Sequence, residues 1–283
     1  MQRDSVDLRD VSLVCVETRR PQLALYALAR CLRQARFREV RLLGSGQPVA
    51  APAAAADALR DADVEFVPIR ALASVADYSR FMVRELGQYF SGSHALVVQW
   101  DGFITDAGRW DPRFLEYDYI GAPWPGQVPA VGNGGFSLRS RRLVDALQAM
   151  DTPVTHPEDH CICGRYRPRL ERDHGVRFAP LDVATAFSWE ALEPPQPAFG
   201  FHAFFNFHRV LTEDELLAYF TLCDAPLLQA VPARRLLKQL YRNSMHRAAD
   251  RLHAIRMAGP PGMRIDALKL RAFARARALV HAG

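Results

Sequence analysis

The chain lacks any long hydrophobic run. No segment of the 283 residues approaches the roughly 20 consecutive apolar residues needed to span a bilayer. The amino terminus is polar and has no apolar core of the kind found in signal peptides. With 49% hydrophobic and 24% charged residues, the composition is typical of a globular protein. We therefore expect a cytoplasmic protein with one principal domain and an appendage.

Cysteine is scarce, and the five cysteines form an odd, irregular set rather than the dense, even framework of a small secreted domain. Reduced thiols are the expectation. Cys161 and Cys163 lie near His156 and His160, so zinc is an alternative. However, the usual ligand spacings are absent, and a C-x-C pair on a helix directs its side chains about 200° apart.

Acidic residues are scarce near the carboxyl terminus. Residues 232–283 hold 12 Lys and Arg against Asp250 and Asp266, a net charge of +10, which leaves −5 for residues 1–231. An apolar stripe over 234–257 and a second basic helix over 264–281 indicate a basic hairpin. The hairpin either lies on anionic lipid or packs its stripe on the domain. Nucleic acid is not an expected partner, because the basic residues lack interleaved aromatics and a reading motif.

Strand-like and helical patterns alternate along the first part of the chain. We predict strands at 11–16, 39–43, 64–67 and 94–99, and helices at 21–36, 50–60, 74–90, 141–150 and 158–173. This alternation predicts an α/β fold with a Rossmann-type, mainly parallel central sheet flanked by helices. We place this domain at residues 1–211 and a basic helical extension at 212–283, where a capping-box pattern begins.

An acid follows the most apolar strand. The run 95–98 leads through Gln99 and Trp100 to Asp101 and Gly102. A buried strand that delivers one carboxylate to a turn at the carboxyl edge of a sheet is a common way to present a metal ligand. The alternative is an aspartate that only caps the turn.

A glycine-rich loop over 131–136 comes next. Gly134 and Gly135 allow close approach of a ligand to the backbone, and Asn133 tolerates the left-handed conformation. The spacing is not that of a dinucleotide fingerprint, and no P-loop lysine follows. A purely structural turn is the alternative.

Two acids and a late histidine complete the set. Glu158 and Asp159 follow Pro157 at a predicted helix start, where the helix dipole favours ionised carboxylates and where one of them could act as a general base. His202 is a further candidate ligand, since imidazole is accepted by Mn²⁺ and similar ions. First-turn helix charge and a core histidine are the respective structural alternatives.

The order of these motifs resembles that of GT-A fold, nucleotide-sugar-dependent glycosyltransferases. More narrowly, QWDGF, YIGAPW, VGNGGFSLRS, PEDHCIC and FGFH are similar to the bacterial glycosyltransferase-like family DUF5672. The motifs cover roughly residues 10 to 210, and their ordered combination is far more specific than any one of them. The resemblance implies a GT-A-like fold.

The resemblance also implies roles for individual residues. Asp101 matches the last acid of the D-x-D motif and His202 the histidine that completes the metal shell, so that Mn²⁺ or Mg²⁺ is the implied cofactor. Asp159, with Glu158 beside it, matches the acid that serves as base in inverting members. The remaining implied positions contact donor or acceptor: Glu17, Thr18, Arg19, Arg80, Gln99, Trp100, Asn133, Gly134 and Gly135.

Two positions leave alternatives open. The first D-x-D position is Gln99, which brings no charge and puts metal use in doubt. Trp124 either stacks on a sugar ring or belongs to the core. For Arg80 the alternative is a solvated helix arginine, and for Glu17 and Arg19 a loop ion pair.

The expected function is transfer of a hexose from a UDP-sugar, or another nucleotide sugar, to a hydroxyl of a polysaccharide or lipid-linked glycan. The basic extension then suggests peripheral contact with the anionic inner surface of a membrane. A non-catalytic binder of nucleotides or carbohydrates is the second hypothesis, and Gln99 is the feature that supports it.

Overall fold

The computed structural model describes residues 5–46, 50–60, 62–128 and 130–282, with side chains described as far as residue 276. The chain forms two compact units, Met1–His202 and Ala203–Gly283. The predicted domain boundary after residue 211 stays a prediction. None of the helices within the described ranges combines the length and apolar character required to cross a membrane.

The first unit contains nine strands among its described residues. They are β1 (Val6–Val16), β2 (Ala35–Gly44), β3 (Val64–Pro68), β4 (His94–Val98), β5 (Phe103–Ile104), β6 (Tyr119–Ile120), β7 (Phe136–Ser140), β8 (Ser188–Trp189) and β9 (Gly200–Phe201). Its helices are α1 (Pro21–Leu32), α2 (Ala53–Arg60), α3 (Val75–Arg84), α4 (Arg141–Ala149), α5 (Glu158–His160), α6 (Arg167–His174) and α7 (Leu181–Phe187).

The central sheet has the strand order β3-β2-β1-β4-β7-β6. The first four strands are parallel to one another, and β7 runs antiparallel to both β4 and β6. The predicted mainly parallel sheet is therefore confirmed. All five residues of β4 are buried, as its unbroken apolar run indicates, so its carboxyl end delivers the following residues to one edge of the sheet.

A second, three-stranded sheet has the order β5-β9-β8. Its β5 and β9 are antiparallel and pair Phe103 with Phe201, and their rings meet edge to face at 4.8 Å. Short strands such as these carry too little periodicity to be predicted from sequence. Their register matters because it brings the segment after β4 beside the segment after β9.

The predicted helix over 158–173 is wrong as a single element. It is broken into α5, a π-helical turn at Cys161–Arg165, and α6, which begins with proline in its first turn. Cys161, Ile162 and Cys163 are buried in the core cluster of this region. All five cysteines are free thiols. Burial raises the pKa of the Cys163 thiol well above its usual value.

The second unit is helical. Its elements are α8 (Phe207–Val210), α9 (Glu213–Leu222), α10 (Ala225–Gln229), α11 (Val231–Arg242), α12 (His246–Met257) and α13 (Pro261–Ala282). The predicted capping box at the start of α9 is confirmed: the Thr212 hydroxyl accepts from the Glu215 amide, and the Glu215 carboxylate accepts from the Thr212 amide. The predicted single helix over 234–257 is wrong, because the chain turns between α11 and α12, where Ser244 has a φ of 56°.

Candidate active site

Asp101 and His202 meet at the carboxyl edge of β4. The pairing of β5 with β9 aligns the residues that precede β5 with those that follow β9, and it brings Asp101 Oδ1 to 3.3 Å from His202 Nε2. Both side chains are largely buried. The two residues predicted to share a metal therefore lie side by side, although a hundred residues of chain separate them.

Gln99 connects this pair to α3 and to the glycine loop. Its Oε1 lies 3.2 Å from His202 Nε2, and its Nε2 donates to the Tyr78 hydroxyl at 3.0 Å. Its backbone amide donates to Gly135 O at 2.9 Å, continuing the pairing of β4 with β7. Gln99 thus occupies the position of the absent acid, but its amide is engaged in orienting its neighbours rather than in supplying charge.

His202 is electrostatically coupled to several carboxylates. Burial alone would lower the pKa of its imidazole, but the charge and hydrogen bond of Asp101, followed by the charges of Glu190 and Asp159, raise the pKa to about 9. The imidazole is therefore protonated at neutral pH when no metal is bound. Asp159 lies near the same site, because its Oδ2 accepts from the amide of Gly134, and the next residue, Gly135, lies against His202.

The glycine loop closes over these residues because it carries no side chains there. A Cβ on Gly135 would lie 2.1 Å from His202 Nε2, and a Cβ on Gly134 would lie 2.6 Å from Glu158 Oε1. Neither contact is tolerated by real atoms, so both positions require glycine. Asn133 shapes the loop from within, since its Oδ1 accepts from the Gly135 amide at 3.1 Å.

The neighbouring acids Glu158 and Asp159 have different surroundings. Glu158 is buried and forms an ion pair of 2.9 Å with Arg139, whose side chain is fully buried on β7. Asp159 is half-buried, and its Oδ2 accepts from the Gly134 amide at 3.1 Å. Asp159 therefore presents a carboxylate at the glycine loop, whereas Glu158 anchors α5 to the sheet. A catalytic role for Glu158 stays a prediction.

We expect Glu158→Gln to lower the free energy of unfolding by about 3 kcal/mol, because Arg139 is then buried without a counter-charge. Urea unfolding followed by circular dichroism measures the change. The matched control is Glu171→Gln, which removes an exposed pair of 2.8 Å with Arg167 and should cost at most about 1 kcal/mol. Equal costs for the two variants would contradict the anchoring role of Glu158.

A pocket of about 220 Å³ opens beside the carboxyl end of β1. Its lining includes five of the predicted site residues: Glu17, Thr18, Arg19, Gln99 and Trp100. Pockets for whole drug-sized ligands measure about 300–1,000 Å³, so this one suits a part of a ligand such as a nucleobase. Gln99, which lines the pocket, also contacts His202.

Hydrogen bonds within the chain hold the rim of this pocket. Glu17 Oε1 accepts from the backbone amides of Arg19 and Arg20, and the Arg19 guanidinium donates to Ala73 O at 2.6 Å. Tyr78 lines the pocket from α3, and burial raises the pKa of its hydroxyl, which stays protonated. An ion pair of Glu17 with Arg19 is the expected alternative. In this structure the Glu17 carboxylate instead accepts from backbone amides of the turn.

Arg80 lies on the surface of α3, whereas Trp124 lies against Gly132 of the glycine loop. Arg80 is 64% exposed on α3 and approaches Asp77 at 3.9 Å. Trp124 is 8% exposed, belongs to a core cluster, and stacks on His160 with ring centroids 4.2 Å apart. Donor or sugar contacts by these two residues stay predictions.

Glu190 was missed by the sequence reasoning. It follows β8, whose parallel pairing with β9 sets Trp189 opposite Phe201, so Glu190 and His202 leave the sheet together. Glu190 Oε2 accepts from Asn133 Nδ2 at 2.7 Å, and its Oε1 lies 3.9 Å from His202 Nδ1. The residue therefore ties the glycine loop to the histidine. Its only sequence signal is its position directly after Trp189, which is not a motif.

The donor set at Asp101 and His202 is compatible with a divalent cation. One carboxylate and one imidazole would leave most of the coordination shell to a diphosphate and water, as Mn²⁺ and Mg²⁺ accept. Among the described residues, no group of three or more His, Cys, Asp and Glu side chains has the arrangement of a self-contained metal site.

Comparisons with known proteins give a family for this chain. The family model described as "Protein of unknown function (DUF5672)" matches residues 61–202, half of the chain. This segment contains Gln99, Asp101, the glycine loop, Asp159 and His202. A search of curated proteins found no significant match.

Solved structures show weaker similarity. The galactosyltransferase LgtC, in complex with donor and acceptor sugar analogues, is 16% identical with a TM-score of 0.43, covering 68% of this chain and 86% of that one. A glycosyltransferase involved in glycosylation of the major capsid of PBCV-1 is 12% identical, with a TM-score of 0.40. The match covers 68% of this chain and 91% of that one. Glucosyl-3-phosphoglycerate synthase from Mycobacterium tuberculosis, in complex with Mn²⁺, UDP and phosphoglyceric acid, is 15% identical, with a TM-score of 0.37. The match covers 63% of this chain and 74% of that one. Such scores are too low to transfer a substrate or a metal.

Proposed function

This chain belongs to the DUF5672 family, and from that membership and its site we propose that it is a nucleotide-sugar-dependent glycosyltransferase. The reaction moves a hexose from a UDP-sugar, or another nucleotide sugar, to a hydroxyl of a polysaccharide or lipid-linked glycan. One observation carries the proposal: Gln99, Asp101, His202 and the glycine loop with Asp159 converge at the carboxyl edge of one sheet.

The donor is held in two parts. The nucleobase enters the pocket beside β1, which Glu17, Thr18 and Arg19 line, and the diphosphate extends past Gln99 to Asp101 and His202. Mn²⁺ or Mg²⁺ would be held by Asp101 and His202 with the diphosphate oxygens. When bound, such a cation supplies positive charge that offsets the charge developing on the diphosphate.

The acceptor meets the donor at the glycine loop. Its hydroxyl oxygen forms a bond to the anomeric carbon while the bond from that carbon to the diphosphate oxygen breaks, and the electron pair leaves with the diphosphate. Asp159 takes the hydroxyl proton, since its carboxylate is accessible and oriented by the Gly134 amide. Without side chains at Gly134 and Gly135, the loop lies directly against Glu158 and His202, which keeps Asp159 close to the donor site.

A non-catalytic nucleotide or carbohydrate binder is the second candidate. It is favoured by Gln99, which removes one of the two charges that a D-x-D motif brings to a metal. Both candidates predict a UDP site, but only the enzyme turns over.

Titration with UDP, in the presence and absence of Mn²⁺, tests the site, and a donor-hydrolysis assay tests turnover. We expect UDP to bind more tightly with Mn²⁺, because Asp101 and His202 would hold the cation next to the diphosphate and its charge would offset that of the phosphates. We also expect slow hydrolysis of a nucleotide sugar. UDP binding without hydrolysis or transfer of any donor would support the binder, and the absence of UDP binding would contradict both.

The basic extension completes the proposal. A peripheral position on the anionic inner surface of a membrane would hold the enzyme next to a lipid-linked acceptor. The net charge of +10 on residues 232–283 supports this partner.

A further inference from the structure

The apolar stripe that the sequence indicates over 234–257 is not available to a membrane. Leu237 on α11 and Ala248 and Leu252 on α12 are fully buried within the helical unit. The turn between α11 and α12 lets the two helices pack against each other. A lipid-facing surface must therefore lie elsewhere.

The outer face of α13 is apolar and exposed. Ile265 is 54% exposed, Leu268 51% and Phe273 62%, and the exposed Ala272 lies between them. The spacings of three and four residues place Ile265, Leu268 and Ala272 on one face of the helix, with Phe273 beside them. Ala267 on the opposite face is fully buried. The helix thus packs by one side and leaves large apolar side chains in water on the other.

Cations accompany this face, and the acid of the helix is paired within the helical unit. Arg264, Lys269 and Arg275 are exposed along the same length of α13. Asp266, the one acidic residue between 261 and 282, pairs with Arg234 of α11 at 2.7 Å. The side of α13 that meets solvent is therefore both apolar and positively charged.

We propose that the outer face of α13 (Ile265, Leu268, Lys269, Ala272, Phe273 and Arg275) docks on an anionic lipid surface. The apolar side chains enter the boundary between headgroups and acyl chains, while Lys269 and Arg275 meet lipid phosphates. Charge complementarity selects an anionic bilayer over a second copy of this chain, because the same face on a second copy would carry the same cations. The proposal deepens the proposed function and rests on it for the location of the acceptor.

Cosedimentation of the full chain with vesicles tests the surface. We expect binding to vesicles of phosphatidylcholine with phosphatidylglycerol, and little binding to phosphatidylcholine alone. The triple variant Ile265→Ser, Leu268→Ser, Phe273→Ser should bind at least about a hundredfold more weakly, because three large side chains no longer leave water. Lys269→Gln with Arg275→Gln should weaken binding about 30-fold, since each cation near the surface contributes about fivefold.

The matched control is Val231→Ser, which removes another exposed apolar side chain, 70% exposed on α11, and should leave vesicle binding unchanged. Equal binding by the wild type, the triple variant and the double variant would overturn the proposal. A second result would also overturn it: light scattering shows that the wild type is a dimer and the triple variant a monomer, and neither protein binds vesicles. Titration of every variant with UDP shows, independently of vesicle binding, whether the protein is folded and its donor site intact. A failure of docking is therefore distinguishable from a failure of the proposed activity.

Discussion

Asp159→Asn should lower the rate of sugar transfer about a thousandfold, within the range of about 10²–10⁴ that a general base contributes. Asparagine keeps one oxygen that can accept from the Gly134 amide and loses only the acceptor for the adjacent His160 amide, so the contact with the loop is retained. It cannot take the proton of an acceptor hydroxyl at neutral pH. The loss should therefore appear in turnover, while the affinity for UDP stays unchanged, since the assigned role of Asp159 is toward the acceptor.

The control for this variant is Asp173→Asn. Asp173 is an acid at the end of α6 that pairs with Arg172 at 2.7 Å on the surface, and its replacement should leave transfer unaltered. Steady-state kinetics with a defined acceptor, and isothermal titration with UDP, separate the two effects. Full turnover by Asp159→Asn would show that another group accepts the proton, or that the reaction proceeds with retention and needs no base there.

The sequence predicts the parts of the site that local patterns encode. The apolar run of β4 followed by Asp101 indicates a carboxylate at a sheet edge, and the glycines of the loop indicate close approach. The order of the motifs adds His202, and the structure sets it against Asp101. Each of these residues stands directly after a strand or in a turn, where side-chain position depends little on distant packing.

Other features depend on pairing between distant segments, which no local pattern encodes. Glu158 and Asp159 differ in their surroundings because Glu158 forms a buried ion pair with Arg139 on β7. Glu190 reaches the site only because two strands of two residues each pair in register. The turn at Ser244 uses a positive φ without glycine or proline, so the apolar periodicity passes through it unchanged.

Asp101→Asn should remove the effect of Mn²⁺ on UDP binding, weakening binding in the presence of Mn²⁺ by at least about a hundredfold, and abolish transfer. The reason is that Gln99 stands where the D-x-D motif has its first acid. Where a motif holds two acids, one can partly replace the other, but here Asp101 is the single carboxylate of the sequence QWD. Asparagine fills the same space next to His202 and brings no charge to a hard cation.

The matched control is Asp106→Asn, five residues further along the chain. Asp106 Oδ1 accepts from the Gly108 amide at 3.0 Å and caps a turn, a role that asparagine also performs, so UDP binding should be unchanged. Titration of UDP against both variants, at several Mn²⁺ concentrations, gives the comparison. If Asp101→Asn kept the Mn²⁺ dependence of the wild type, the cation would have to be held elsewhere. If the wild type showed no Mn²⁺ dependence while Asp101→Asn lost transfer, Asp101 would act directly on the donor, and protonated His202 would supply the positive charge beside the diphosphate.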